Sequence, residues 1–198
     1  TVGVGDTDVR SGIIGEVGIN GQPLTPNEIK SLQASARASR VTGAAITLHR
    51  GGGGSERCET MSILSKEGSD LSRVIFGHSD EIAGDVPLMM QLLNQGVYIQ
   101  FDLLGRVGVP LRFHPYGDDQ RSLNASASTA AVADAIPLLI KKGHADRILL
   151  SQDVCTKMQL KAYGGTGYSF ILETFLSEMR LRGVSEEDIN MIMFENPA

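Results

Sequence analysis

Val74-Ile75-Phe76-Gly77-His78 is a short apolar run that stops at a histidine, and Ala44-Ala45-Ile46-Thr47-Leu48-His49 stops in the same way. Three more runs share this strand character: Gly12 to Val17, Val97 to Asp102 and Arg147 to Asp153. A helical stretch follows each of the five. The first is announced by Thr25-Pro26-Asn27-Glu28, where Thr25 can cap, Pro26 suits the first helical position and Glu28 closes a capping box, with Gly43 as the stop. The second covers about Glu56 to Glu67 and ends at Gly68, and the third opens at Asp85-Val86-Pro87 and ends at Gly96. After a longer loop the fourth spans about Ser128 to Lys142, with Pro137 as a kink and Gly143 as the stop. Tyr168 to Arg182 and Ser185 to Glu195 form a closing helix pair.

Strand and helix in alternation predict βαβ units and a parallel sheet in an α/β protein. A doubly wound sheet would carry a glycine-rich phosphate turn after its first strand, whereas these strands end in Glu, His, His, Asp and Asp. That pattern favours a TIM (β/α)8 barrel. Such a barrel has eight strands and typically about 250 residues. The expectation is therefore that residues 1–198 form the C-terminal part of a single barrel, strands 4 to 8, with strands 1 to 3 missing upstream of a loop-like start.

Composition bounds the function. The chain is 21% charged and 41% hydrophobic, with a net charge of -5. Clustered Lys and Arg of the kind that displaces counterions from nucleic acid or an acidic membrane are absent. No apolar run reaches the roughly 18 residues of a membrane span, and the first residues lack the order of a secretion signal. Cys58 and Cys155 lie far apart without metal-binding spacing, which fits a reducing cytoplasm. Asn124-Ala125-Ser126 matches a glycosylation sequon, which has no use without export.

Four strand ends carry a residue suited to a divalent metal: Glu16, His49, His78 and Asp153. In a parallel barrel the C-terminal strand ends open on one face, so these side chains are expected to converge there. A mixed imidazole and carboxylate set suits zinc or a related transition ion. One histidine at a strand end would read as ordinary hydrogen-bonded structure, but the joint placement points to a site. His114 and His144 read as surface groups, and Asp102 as a loop cap or as a carboxylate holding a ligand histidine.

Several ordered stretches resemble the phosphotriesterase-related branch of the amidohydrolase superfamily. These are Ser11-Gly-Ile-Ile-Gly-Glu-Val-Gly18, Thr25-Pro-Asn-Glu28, Thr42-Gly-Ala-Ala-Ile-Thr-Leu-His49, Ser72-Arg-Val-Ile-Phe-Gly-His-Ser-Asp80 and Phe101-Asp-Leu-Leu-Gly-Arg106. Asp153, Lys157, Tyr163-Gly-Gly-Thr-Gly-Tyr168 and Glu195-Asn-Pro197 continue the likeness to the end. The resemblance implies a binuclear centre of two divalent ions, zinc first with manganese, cobalt or iron as alternatives, and a bridging hydroxide. In that scheme His49 and His78 bind the exposed ion, Glu16 bridges, and Asp153 binds the buried ion and accepts a proton. The buried ion's remaining His-x-His ligands would lie outside this chain.

The function expected is hydrolysis of ester-type bonds in a lactone, phospholactone or carboxylic ester. Glu16 stands where organophosphate-degrading members carry a carbamylated lysine, and Leu103 where they carry a histidine, so a phosphotriesterase with organophosphate substrates is the alternative. A metal-containing ligand-binding barrel without turnover is a second one. Arg106, Lys157 and Gly165 are the candidate substrate-binding residues, because loops after the last barrel strands commonly hold anions and Arg and Lys suit phosphate or carboxylate. Gly51 to Gly54 reads as a flexible lid segment, and Met89 to Leu93 as core. The expected partners are a small, anionic substrate and a second copy in a homodimer, with no nucleic acid and no membrane.

Overall fold

The computed structural model describes residues 3–49, 55–106 and 129–198. The Gly51 to Gly54 segment, His114 and the Asn124 sequon lie outside the described residues. In chain order the elements are β1 (Ile13–Gly18), α1 (Pro26–Thr42), β2 (Ala45–His49), α2 (Ser55–Lys66), β3 (Val74–Phe76) and α3 (Val86–Leu93). β4 (Tyr98–Phe101), α4 (Thr129–Lys141), β5 (Ile148–Leu150), α5 (Leu176–Leu181) and α6 (Glu186–Asn190) complete them. The sheet runs β1-β2-β3-β4-β5, and the pairs β1 with β2, β2 with β3 and β3 with β4 are parallel. Strand order follows chain order without the reversal that defines a doubly wound sheet, which is the β/α barrel arrangement expected.

The chain divides into two compact units, Thr1–His78 with Pro87–Ile99 and Ser79–Val86 with Gln100–Ala198. In the first, α1 starts on a complete capping box between Thr25 and Glu28 with Pro26 inside its first turn. It stops at Gly43, whose φ of 74° is the left-handed conformation glycine adopts without steric cost. Leu32 and Ala36 are fully buried on α1, which packs against β1, β2 and α2. Burying a leucine in this way is worth roughly 1.5–3 kcal/mol. Along β2, Ile46 and Leu48 are buried while Ala45, Thr47 and His49 are half-buried. The two-residue period of a strand therefore places His49 on the less covered face with Thr47.

In the second unit the end of β4 pairs with the residue after β5, Ser151 N–H donating to Phe101 O at 2.9 Å. Val132, Ile136 and Leu139 of α4 and Phe175 and Met179 of the closing helices supply its core, and α4 packs on α5 and on the Ser79–Ile82 turn. Pro137 lies inside α4. The Asn196 side chain amide donates to Ala145 O and Ile148 O, both at 2.8 Å, and so holds the end of the chain against the start of β5.

Two expectations change in detail. β3 and β5 are shorter than their apolar runs, ending at Phe76 and Leu150. The physical reason is that His78 and Asp153 have positive φ, 49° and 43°, which no pleated strand accommodates. The closing helices are also not uniform: wide π turns occupy Ile171–Phe175 and Met191–Glu195, a variation that apolar spacing does not report. Among the described residues no helix is long and apolar enough to cross a membrane.

Candidate functional site

The first unit carries Glu16, His49 and His78. Glu16 lies in β1 where the β1–β2 register shifts between Ile14 and Val17, as at a bulge, and it is exposed. Gly15 just before it has φ 135°, and a Cβ there would stand 2.5 Å from Thr47 O, so only glycine lets β1 come this close to β2. His49 ends β2 and its carbonyl accepts from Ile19 N–H at 3.2 Å. Gly77 N–H donates to Leu48 O at 3.0 Å, which makes His78 the first residue released from strand pairing. His78 is 6% exposed. The two imidazoles meet edge to face, centroids 4.7 Å apart and planes at 81°.

Behind His78 lies Arg57, which is fully buried. Its Nη2 reaches His78 O at 3.5 Å, and its guanidinium carbon stands 5.6 Å from the Phe76 ring centre. A cation sunk this deep needs partners, and its place at the start of α2 gave no such sign in the sequence.

The second unit carries Asp153, Arg106, Lys157 and Gly165. Asp153 has φ 43°, and with His78 it makes up the non-glycine residues of positive φ among those described. Such backbone costs about 1–3 kcal/mol and persists where the surroundings enforce it, often at functional sites. Arg106 Nη2 forms an ion pair with the Asp153 carboxylate and also reaches its carbonyl at 3.4 Å. Lys157 Nζ stands 4.3 Å from the Tyr163 ring centre. A Cβ on Gly165 would overlap Met158 O and the Gln159 carbonyl, so Gly165 serves close backbone packing in this loop. The fold thus joins Arg106 to Asp153, while Lys157 and Gly165 have local partners of their own.

Asp80 and Asp102 are both nearly inaccessible, at 1% and 2% exposure. Asp80 Oδ2 accepts from the backbone N–H groups of Asp102, at 2.8 Å, and Leu103, at 3.2 Å, while Gln100 Nε2 donates to Asp102 Oδ2 at 2.7 Å. Burial, and after it the charge of Asp102, push the Asp80 carboxyl up to about 7 against the pull of these N–H donors. Asp102, expected to cap the loop or hold a histidine, thus receives Gln100 and offers its own N–H to Asp80. Asp80 sits in the Gly-His-Ser-Asp stretch, but its hold on the β4 end depends on residues distant in sequence. His144 is half-buried and precedes the short Ala145–Arg147 turn.

In donor type, imidazoles and carboxylates fit a divalent transition ion. Among the described residues no group of three or more His, Cys, Asp or Glu stands ready to hold one. His49 and His78 are the donors brought together within one unit.

A parallel sheet whose strand order follows the chain, with helices between its strands, places the chain in the β/α barrel class, and comparison with known proteins narrows it. The family model described as "Phosphotriesterase family" matches residues 1–198, and the chain belongs to that family. It is a partial barrel of the family's fold. An N-acetyltaurine hydrolase of Dictyostelium discoideum is 39% identical, over 99% of this chain and 51% of that protein. A resiniferatoxin-binding protein from Rhodobacter sphaeroides superposes with a TM-score of 0.87 at 32% identity, over 98% of this chain and 52% of the other. The phosphotriesterase homology protein from Escherichia coli, complexed with phosphate in its active site, gives 0.83 at 30% identity, over 98% and 61%. The chain spans about half the length of the curated relatives it matches.

Proposed function

We propose that the protein is a metal-dependent hydrolase of ester-type bonds, in a lactone, phospholactone or carboxylic ester, with two divalent ions held in part by Glu16, His49, His78 and Asp153. The observation that carries this is the edge-to-face pair of His49, which ends β2, and His78, just past the end of the adjacent parallel β3, with 4.7 Å between ring centres. Zinc is the first choice of ion. Both cysteines are free, in keeping with a reducing compartment, and the cytoplasm is the proposed location.

When bound, the ions would lower the pKa of water far below its bulk value, toward about 7, and polarise the bond under attack. His49 and His78 would each offer a ring nitrogen, and the bulge at Glu16 would present its carboxylate to the same centre. Asp153 would take up the water's proton at a carboxylate oxygen. Arg106, already on Asp153, would orient that carboxylate and sit beside an anionic substrate group. Phosphate in the Escherichia coli homologue's active site supports an anionic substrate.

A second substrate class, an amide, is favoured by the Dictyostelium relative, which is named an N-acetyltaurine hydrolase. The binder without turnover is supported by the Rhodobacter protein. One experiment separates them. The full-length protein is incubated with lactones, carboxylic esters, aryl phosphotriesters and N-acetyltaurine, with and without zinc, manganese or cobalt. Chelator-sensitive turnover of a lactone or carboxylic ester is the expected result. Turnover of the amide alone transfers the proposal to amide hydrolysis, and inactivity on all four with metal bound refutes the hydrolase.

A further inference from the structure

Asp153 needs something to hold it in a backbone conformation that an aspartate does not choose freely, and the turn after it supplies a candidate that no part of the proposed reaction uses. Gln159 ends the short Lys157–Gln159 turn. Its Oε1 accepts from Cys155 N–H at 3.0 Å, Thr156 N–H at 2.8 Å and Thr156 Oγ1 at 2.9 Å. Its Nε2 donates to Asp153 O at 2.7 Å. One amide therefore ties the carbonyl of Asp153 to the N–H groups of Cys155 and Thr156.

A capping box would need only the acceptor half of this arrangement, since Thr156 and Gln159 already satisfy each other locally. The donor half reaches past the box to Asp153 and has no role in starting a turn. The main chain of Gln159 is itself fixed. Gly167 N–H donates to Gln159 O at 2.8 Å, and Gly165 N–H to Leu160 O at 3.1 Å. The close approach that Gly165 allows sets the glycine loop directly on the Met158–Gln159 backbone. Support thus passes from the Gly164–Gly167 loop through Gln159 to Asp153.

We propose that Gln159 is a positioning residue: its side chain amide locks the left-handed backbone of Asp153 and so fixes the direction in which the Asp153 carboxylate is presented. The inference rests on the proposed role of Asp153 as proton acceptor. Arg106 grips the same residue at its carboxylate and reaches its carbonyl only at 3.4 Å, against 2.7 Å for Gln159 Nε2, so the two restraints on Asp153 come from different elements.

The test uses the full-length protein and the substrate it turns over. Gln159→Glu keeps the acceptor oxygen and the capping box but removes the donor to Asp153 O, and Gln159→Lys restores a donor without the acceptor. Gln159→Glu is expected to lower kcat about 10–100-fold, the usual scale for groups that orient a metal-site residue, with KM and melting temperature nearly unchanged. Gln159→Lys is expected to recover part of that loss. A Gln159→Glu enzyme with wild-type kcat overturns the proposal, as does a loss that Lys does not relieve or one matched by a fall in stability. An independent readout needs no substrate: in the wild type the Cys155 and Thr156 amide protons should exchange slowly, and exchange at the rate of an open loop also overturns the proposal. Asp153→Asn is run alongside. Near-normal turnover in that variant refutes the role of Asp153 itself, whereas an inactive Asp153→Asn beside a fully active Gln159→Glu removes only the role of Gln159.

Discussion

Replacing Glu28 by Ala should destabilise the start of α1 by about 2 kcal/mol at neutral pH. The Glu28 carboxylate accepts from Asn20 N–H at 2.6 Å, Gly21 N–H at 2.9 Å, Thr25 N–H at 2.7 Å and Thr25 Oγ1 at 2.7 Å, closing the loop that leads out of β1. Loss of a cap typically costs about 1 kcal/mol, and a hydrogen bond to a charged group contributes about 1.5–3 kcal/mol. Asn20 and Thr25 are exposed, so water replaces most of their bonds, and the half-buried Gly21 N–H accounts for much of the remainder. Burial raises the Glu28 pKa, but the hydrogen bonds of Thr25, Gly21 and Asn20 together outweigh it, leaving the group below its ordinary 4.5. A carboxyl depressed on folding contributes stability above its unfolded pKa and loses it as pH falls through the folded one. Urea unfolding of wild type and Glu28→Ala should therefore show a gap that is full near neutrality and shrinks as the pH falls below the ordinary carboxylate value of 4.5. A gap under about 0.5 kcal/mol at neutral pH, or one that does not shrink in acid, would refute the reasoning.

Other substitutions probe the site more directly. Asp153→Asn should cut turnover by about 10²–10⁴-fold, the usual contribution of a positioned acid or base, while part of the metal content is retained; near-normal rates would dismiss Asp153 as proton acceptor. Gly165→Ala should destabilise the last loop by more than about 1 kcal/mol, because its Cβ would overlap the Gln159 carbonyl; a melting temperature equal to wild type would contradict that packing. Treatment with a chelator should abolish turnover, and added zinc, manganese or cobalt should restore it. Activity that survives with metal absent by elemental analysis would exclude the proposed chemistry.

The Arg106–Asp153 pair and the buried Asp80 meet in one turn. Asp80 receives the Asp102 and Leu103 N–H groups, Gly105 N–H donates to Thr129 Oγ1 at 3.0 Å, and Thr166 Oγ1 donates to Gly105 O at 2.8 Å. The segment that delivers Arg106 is thus braced from three directions, as befits a cation with a fixed partner.

Local chemistry made much of this fold legible in the residues alone. The capping box at Thr25 and Glu28 and the stops at Gly43, Gly68, Gly96 and Gly143, all of positive φ, follow from interactions within a few positions of each other. The apolar runs likewise mark β1 to β5, and along β2, β3 and β4 alternate side chains are buried. What the sequence could not decide is the release of His78 and Asp153 from their strands, the pairing of Arg106 with Asp153, or the reach of Gln159 and Asp80 to neighbouring backbone. Those depend on contacts between residues brought together only by the chain's path, and on steric enforcement of left-handed backbone that no single residue type announces. Glu16, His49, His78 and Asp153 could be named from the residues at strand ends, but the direction in which each is held is a property of the packed structure.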